Sequence, residues 1–246
     1  MLKNTLYLSI IIPTYNESDR ILNTLRSLID YLSSLDNDWE VIVSDDGSSD
    51  NTCEQVIRLI NQTNKDPNVY VSLIQSSHKG KGSAIKTGML KAIGDYRIMF
   101  DADLAMPPKY IDDFISNIDK GYDVVIGSRE IYGSKRFDEP YFRHIMGRVF
   151  NFYIRFFIVH GYQDTQCGYK CFTAKSATQL FSKQVINGWS FDVEILYLAR
   201  KYGFSVLELP INWYHGKHSK VKPLQASFEM ARDTFLLKMR YLFGGY

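Results

Sequence analysis

The first 127 residues alternate short apolar runs with segments of helical period, and few architectures accept that alternation. Runs at Leu6–Ile12, Glu40–Ser44, Val69–Gln75, Tyr96–Phe100 and Asp123–Gly127 read as strands. Between them, Ser18–Leu35, Asn51–Asn61, Ser83–Ala92 and Pro107–Asp119 repeat their apolar residues at the spacing of one helix face. Strands separated by helices pair in parallel and are covered on both faces, so the fold class is α/β with a doubly wound, mostly parallel sheet. Such sheets bind ligands beyond the carboxyl ends of their strands. The polar tripeptides Pro13-Thr14-Tyr15, Asp45-Asp46-Gly47 and Asp101-Ala102-Asp103 stand at those ends.

After Gly127 the pattern changes. Arg143–Val159 reads as a helix rich in Phe, Tyr and Arg, followed by a strand near Gly168–Phe172 and a helix over Phe191–Lys201. Two short strands follow, Ser205–Leu209 and Ile211–Tyr214, then a basic loop at 215–220 and an amphipathic helix over Pro223–Arg240. No repeat or linker interrupts the chain, so residues 1–246 read as one domain with a ligand-binding half, 1–127, and a second half, 128–246.

Charge excludes one class of partner. A net charge of +2 over 246 residues is too small for the broad basic face of a nucleic-acid binder. The cations cluster instead, five Lys/Arg against two acids over 135–155 and five against one over 200–222. The three cysteines lack metal-ligand spacing, and Cys167 and Cys171 lie too far apart on an extended strand for a disulfide, which suits a reducing compartment. No stretch approaches the roughly 18 apolar residues of a membrane span. The expectation is a cytoplasmic protein, peripheral on the cytoplasmic face of a membrane.

The sharpest chemical signal is Asp101-Ala102-Asp103. Two carboxylates one residue apart at a strand end can hold a hard divalent cation and leave it open toward phosphate oxygens; an acidic turn is the plain alternative. Asp46 is placed to accept hydrogen bonds from a base or ribose, or simply belongs to a turn with Gly47, with Ser49 or Asp50 capping the next helix. Tyr15 can stack on a base, while Glu17 also suits a first helical turn. His78-Lys79-Gly80-Lys81-Gly82 is a basic, glycine-rich turn opening a helix, suited to phosphate contact.

Taken together these segments resemble glycosyltransferase family 2, whose opening motif stands as Ile11-Ile12-Pro13-Thr14-Tyr15-Asn16-Glu17. The second stands as Val43 to Asp50 and the metal motif as Asp101-Ala102-Asp103. The resemblance implies a GT-A fold, an inverting mechanism and a nucleoside diphosphate sugar as donor. It places Pro13, Tyr15, Glu17, Asp46, Lys81, Asp101 and Ala102 at the nucleotide sugar, and Asp101 and Asp103 at a Mg²⁺ or Mn²⁺ ion. The first half thus becomes the nucleotide-sugar half and the second the acceptor and membrane half. Asp164 to Phe172 and Trp189 to Glu194 look like the dolichyl-phosphate β-glucosyltransferase branch, which implies UDP-glucose and a polyprenyl or dolichyl phosphate acceptor. Ala105, where the mannosyltransferase group has a glutamine, departs from that neighbouring branch.

A phosphate acceptor is already anionic and needs cations rather than a base. Arg129, after Gly127-Ser128, and Lys170 are the residues expected to hold it, with Arg129 alternatively bridged to Glu130 or Asp123. Asp103, Arg129 and Asp192 form the catalytic set. Asp192 is either a general base, as in family members that glycosylate a glycan hydroxyl, or an acid in a first helical turn. The segment 143–157 is either an interfacial helix or a buried one. A nucleotide-sugar-binding subunit without turnover is the alternative of another class.

Overall fold

The structure, a computed structural model, describes residues 7–63, 69–215 and 223–242. Its centre is a seven-stranded sheet of order β3-β2-β1-β4-β7-β5-β8. The strands are β1 (Leu8–Thr14), β2 (Trp39–Asp45), β3 (Val71–Gln75), β4 (Tyr96–Met99), β5 (Val124–Ser128), β7 (Lys170–Thr173) and β8 (Val206–Pro210). β6 (Lys135–Phe137) and β9 (Asn212–Tyr214) form a separate parallel pair. Every main-sheet pairing is parallel except those of β7, which runs antiparallel between β4 and β5.

Strand alternation splits the core in two. Leu8, Ile10 and Ile12 of β1 point into a cluster with Ile21, Leu25, Leu28 and Leu32 of α1 (Ile21–Leu32) and Ile111, Phe114 and Ile118 of α4 (Tyr110–Asp119). Ile11 points the other way, to Ile85 and Met89 of α3 (Lys81–Lys91) and to the residues of α6 (Ala174–Lys183) and α7 (Phe191–Lys201). α2 (Thr52–Thr63) lies beside α1. α5 (Tyr141–Phe157) and α8 (Pro223–Leu242) contact each other, and α8 also touches α7.

The mostly parallel reading holds, with two additions. α6 begins at Thr173, whose hydroxyl accepts from the Ser176 amide, so Thr-x-x-Ser was the local signal for this helix. β6 is three residues long and has no amphipathic period to announce it. The strand near Gly168 starts later, at Lys170. Of the basic loop at 215–220, only His215 lies within the described residues.

One buried carboxylate ties the end of the sheet remote from the polar tripeptides. Glu40, 4% exposed, accepts from Ser9 Oγ (2.5 Å) and the Ile93 amide (2.9 Å), and Ser9 Oγ accepts from the Gly94 amide (2.8 Å). Glu40→Ala leaves a buried amide without its acceptor, and urea unfolding is expected to show a loss of about 2 kcal/mol. A loss below about 0.5 kcal/mol would mean that water replaces the carboxylate without cost.

Candidate active site

The strand-end loops are laced to one another before they touch any ligand. Asn16, at φ 57°, offers its side-chain oxygen to the amides of Ser49 (2.8 Å) and Asp50 (3.2 Å), and its own amide donates to Ser48 Oγ. Asp50 accepts from the Thr52 amide, as the cap expected there. Burial pushes its carboxyl up, but the bonds from Thr52 and Ser18 outweigh this and bring it to about 2. Gly47, at φ 78°, closes the turn around Asp45, which accepts from Thr14, Gly47 and Ser48.

Asp46 lines the cavity, with its carboxylate turned to the 78–80 turn. It accepts from the amides of Lys79 (2.9 Å) and Gly80 (2.8 Å) and lies 2.7 Å from His78 Nδ1. The His78 ring stacks on Tyr15 at 4.2 Å between centroids. Pro13, Tyr15, Glu17 and His78 therefore form one wall of a cavity of about 600 Å³. Arg20, which the sequence reading passed over, pairs with Glu17 on the same wall and lies in the field of Asp101 and Asp103.

Asp101 and Asp103 stand on the cavity floor. Lys81 donates to Asp101 Oδ1 at 2.6 Å, and its chain starts α3 directly after Gly80. Burial works to lower the Lys81 pKa, but Asp101 and Asp192 outweigh it and hold the ammonium above its usual value. Asp103 accepts from the Ala105 amide, and burial followed by the neighbouring Asp101 charge raises its carboxyl. The loop entering β7 passes against this pair. A Cβ on Gly168 would lie 1.9 Å from Asp101 Oδ2, so only glycine lets the carboxylate stay where it is.

Two expected residues lie behind the cavity rather than in it. The Ala102 methyl is packed in the core and its carbonyl accepts from Thr24, which fixes the acidic turn to α1. Lys170 is completely buried, donating to the Cys167 carbonyl and to Asp192 Oδ1, both at 2.5 Å. The antiparallel β7 turns this ammonium inward, which removes it from direct contact with an incoming phosphate. Asp192 does line the cavity. Burial raises its carboxyl, while Lys170 and Lys81 pull it back down.

Arg129 lines the same cavity. Its partner is neither Glu130 nor Asp123 but Asp164, which accepts from Nε (2.6 Å), Nη2 (2.9 Å) and the Arg129 amide (3.0 Å). Burial pushes the Asp164 carboxyl up, but Arg129 outweighs it and brings it to about 2. Glu208 of β8 in turn accepts from the amides of Gln163 and Asp164. The guanidinium carbon of Arg129 lies 5.4 Å from the Trp213 ring centre. A separation of 35 residues hid this pair from the sequence reading, although Asp164 opens the Asp-Thr-Gln-Cys-Gly-Tyr-Lys segment.

Among the described residues no three His, Cys, Asp or Glu side chains converge as a complete metal cage. Asp101 and Asp103 instead make a partial shell. Two neighbouring carboxylates, one with its pKa raised by burial and by the other's charge, suit a hard cation whose remaining ligands are phosphate oxygens and water.

A cavity beyond the carboxyl ends of a mostly parallel sheet, with an Asp-x-Asp turn on its floor, is the architecture of a GT-A glycosyltransferase. The chain belongs to glycosyl transferase family 2, whose model matches residues 9–181. It is 35% identical to the dolichyl-phosphate β-glucosyltransferase of Dictyostelium discoideum, over 98% of this chain and 76% of that protein. The human protein of the same name is 31% identical over 98% of this chain and 78% of its own. The fold matches glucosyl-3-phosphoglycerate synthase from Mycobacterium tuberculosis, solved in complex with Mn²⁺ and uridine-diphosphate-glucose. The TM-score is 0.68 at 17% identity, covering 95% of this chain and 79% of that one.

Gly168→Ala tests the crowding at Asp101 directly. The carboxylate must swing away while the buried framework around it is untouched, so the variant should fold normally and lose about a hundredfold in sugar-transfer rate. A melting temperature near wild type together with an unchanged rate would show that Asp101 has room to spare.

Proposed function

We propose that this protein transfers glucose from UDP-glucose, with inversion, to the phosphate of a polyprenyl or dolichyl phosphate at a membrane surface. The observation that carries the reading is the polarity of the cavity. Asp101 and Asp103 with Lys81, and Arg129 with Asp164, all line it, and Asp192, the carboxylate that could serve as a base, is tied to Lys170. The names of the relatives agree with that acceptor.

In this reading the Tyr15–His78 stack offers the uracil an aromatic platform, and the 78–80 turn delivers Lys81 to the diphosphate. Mg²⁺ or Mn²⁺ held by Asp101 and Asp103 would offset the charge that grows on the leaving diphosphate. Arg129 orients the acceptor. An oxygen of the lipid phosphate forms the bond to the anomeric carbon as the bond to the UDP oxygen breaks, and UDP leaves with the electron pair. No proton has to be removed from a largely dianionic phosphate, so Asp192 has no base to supply. Orientation by fixed cations does the remaining work. A glycan-hydroxyl acceptor would need Asp192 as base, and the raised carboxyl is the feature in favour of that second reading.

α5 fits the membrane part. Phe142, Ile145, Val149, Phe152 and Phe156 recur at intervals of three and four and are all exposed. Arg148 lies on the same helix, and Lys238 of α8 sits over Phe157. Phe235 and Leu236 of α8 are exposed as well. Among the described residues no helix is long and apolar enough to cross a membrane. An aromatic stripe flanked by cations suits an anionic bilayer surface, to which each cation adds about 1 kcal/mol at low salt.

Incubation with labelled UDP-glucose and polyprenyl phosphate should yield a glucosylated lipid, and EDTA or Asp103→Asn should nearly abolish it. Asp192→Asn should leave most of the rate. A preference for GDP-mannose, or full activity in EDTA, would overturn the assignment, and loss of all turnover in Asp192→Asn would favour the hydroxyl acceptor. For the surface, Phe152→Asp combined with Phe156→Asp should abolish co-sedimentation with phosphatidylserine vesicles. Retained binding would show that this stripe is not the membrane contact.

A further inference from the structure

The geometry points to Arg136 as a second guanidinium of the acceptor site, binding the lipid phosphate beside Arg129 on the common platform of Trp213. The inference rests on the phosphate acceptor proposed above and adds a residue that sequence reasoning did not select. Arg136 sits in the middle of β6, and the β6–β9 register sets it directly beside Trp213. Its guanidinium carbon lies 5.8 Å from the indole ring centre, and that of Arg129 lies 5.4 Å from the same centre. Both arginines line the same cavity, and the Arg136 side chain is only 17% exposed.

The hydrogen-bonding of Arg136 is incomplete in an informative way. Nη1 donates to Glu139 at 2.6 Å and Nη2 donates to Glu130. Nε is buried and has no hydrogen-bond partner among the described residues. A buried guanidinium N–H without an acceptor is uncommon in folded proteins and marks a place where an acceptor is missing. The cavity this side chain lines is where a ligand oxygen can supply it.

The carboxylates around Arg136 do not depend on it alone. Glu130 also accepts from Arg148 at 2.5 Å, and Glu139 lies 3.1 Å from His144 Nδ1. Each therefore keeps a cationic or hydrogen-bonding neighbour if Arg136 shifts toward an incoming dianion. Arg129 differs, because its Nε and Nη2 are both committed to Asp164. That guanidinium has its Nε–Nη2 edge taken up, whereas Arg136 keeps Nε unpaired among the described residues. A second one, held by acids that have other partners, completes the site.

Calorimetry with a ten-carbon isoprenyl phosphate, the matching isoprenol and UDP tests this on wild type, Arg136→Lys and Glu139→Gln. Arg136→Lys retains charge near Glu130 and Glu139 but lacks the planar fork. It should bind the isoprenyl phosphate at least about tenfold more weakly, with isoprenol and UDP affinities within about twofold of wild type. In turnover the acceptor KM should rise more than kcat falls. Glu139→Gln frees the guanidinium from one anchor and should keep or tighten the phosphate. If Arg136 is only a clip between two acids, both variants will lower the melting temperature and neither will change the preference for phosphate over alcohol, which overturns the proposal. Unchanged phosphate affinity in a folded Arg136→Lys protein overturns it as well. If the wild-type protein itself shows no preference for phosphate over alcohol, the lipid-phosphate reading falls first and this inference with it.

Discussion

Of the described glycines, Gly168 leaves the least room for a Cβ, which would run into the carboxylate of Asp101, and much of the site is arranged around this contact. β4 delivers the acidic turn to the carboxyl edge of the sheet, and β7, running the other way, brings its entering loop across that edge. Where the two meet there is no room for a side chain. The same antiparallel passage places Lys170 beneath Asp192 and brings the buried Asp164 onto Arg129. One reversed strand in an otherwise parallel sheet thus positions the acidic floor, Asp192 and the Arg129–Asp164 pair.

Charge follows from that geometry. Asp101, Asp103 and Asp192 crowd into a partly dry region that holds two lysines, Lys81 and Lys170. Three carboxylates against two ammonium groups leave an excess of negative charge, and burial raises the cost of keeping it. The raised carboxyls of Asp103 and Asp192 are the local expression of this imbalance. In the proposed function a divalent cation with a diphosphate would relieve it. Arg129 and Arg136 lie around the Trp213 indole, and the aspartate paired with Arg129 is also held by backbone amides.

Much of the fold was legible because strands and helices of the first half carry clean periods. The runs at β1 and β2 and the helix at 191–201 were placed to within two residues. β6 was not legible, since three residues without alternation carry no period, and the direction of β7 cannot be read from its own sequence. Tyr15, Asp46, Lys81, Asp101 and Asp103, which the proposed function assigns to the donor, sit within short local motifs and could be named in advance, and the structure brings all five to one cavity. The acceptor side was only half legible. Arg129 follows a strand and could be seen, but Asp164, Glu208, Trp213 and Arg136 meet it only through tertiary contacts. Lys170 looked like a phosphate ligand from its position in a motif, and burial beneath Asp192 gives it a different task. The same burial explains why a lysine stands there, since its ammonium offsets the charge of the buried Asp192.

The central claim is that Asp101 and Asp103 form half of a metal shell that the donor diphosphate completes. Electron paramagnetic resonance of Mn²⁺ titrated into the protein, with and without UDP, addresses this most directly. The account predicts weak Mn²⁺ binding alone, an affinity at least about tenfold higher in the presence of UDP, and loss of that gain in Asp103→Asn. Mn²⁺ affinity that does not respond to UDP, or a gain that survives in Asp103→Asn, would contradict it.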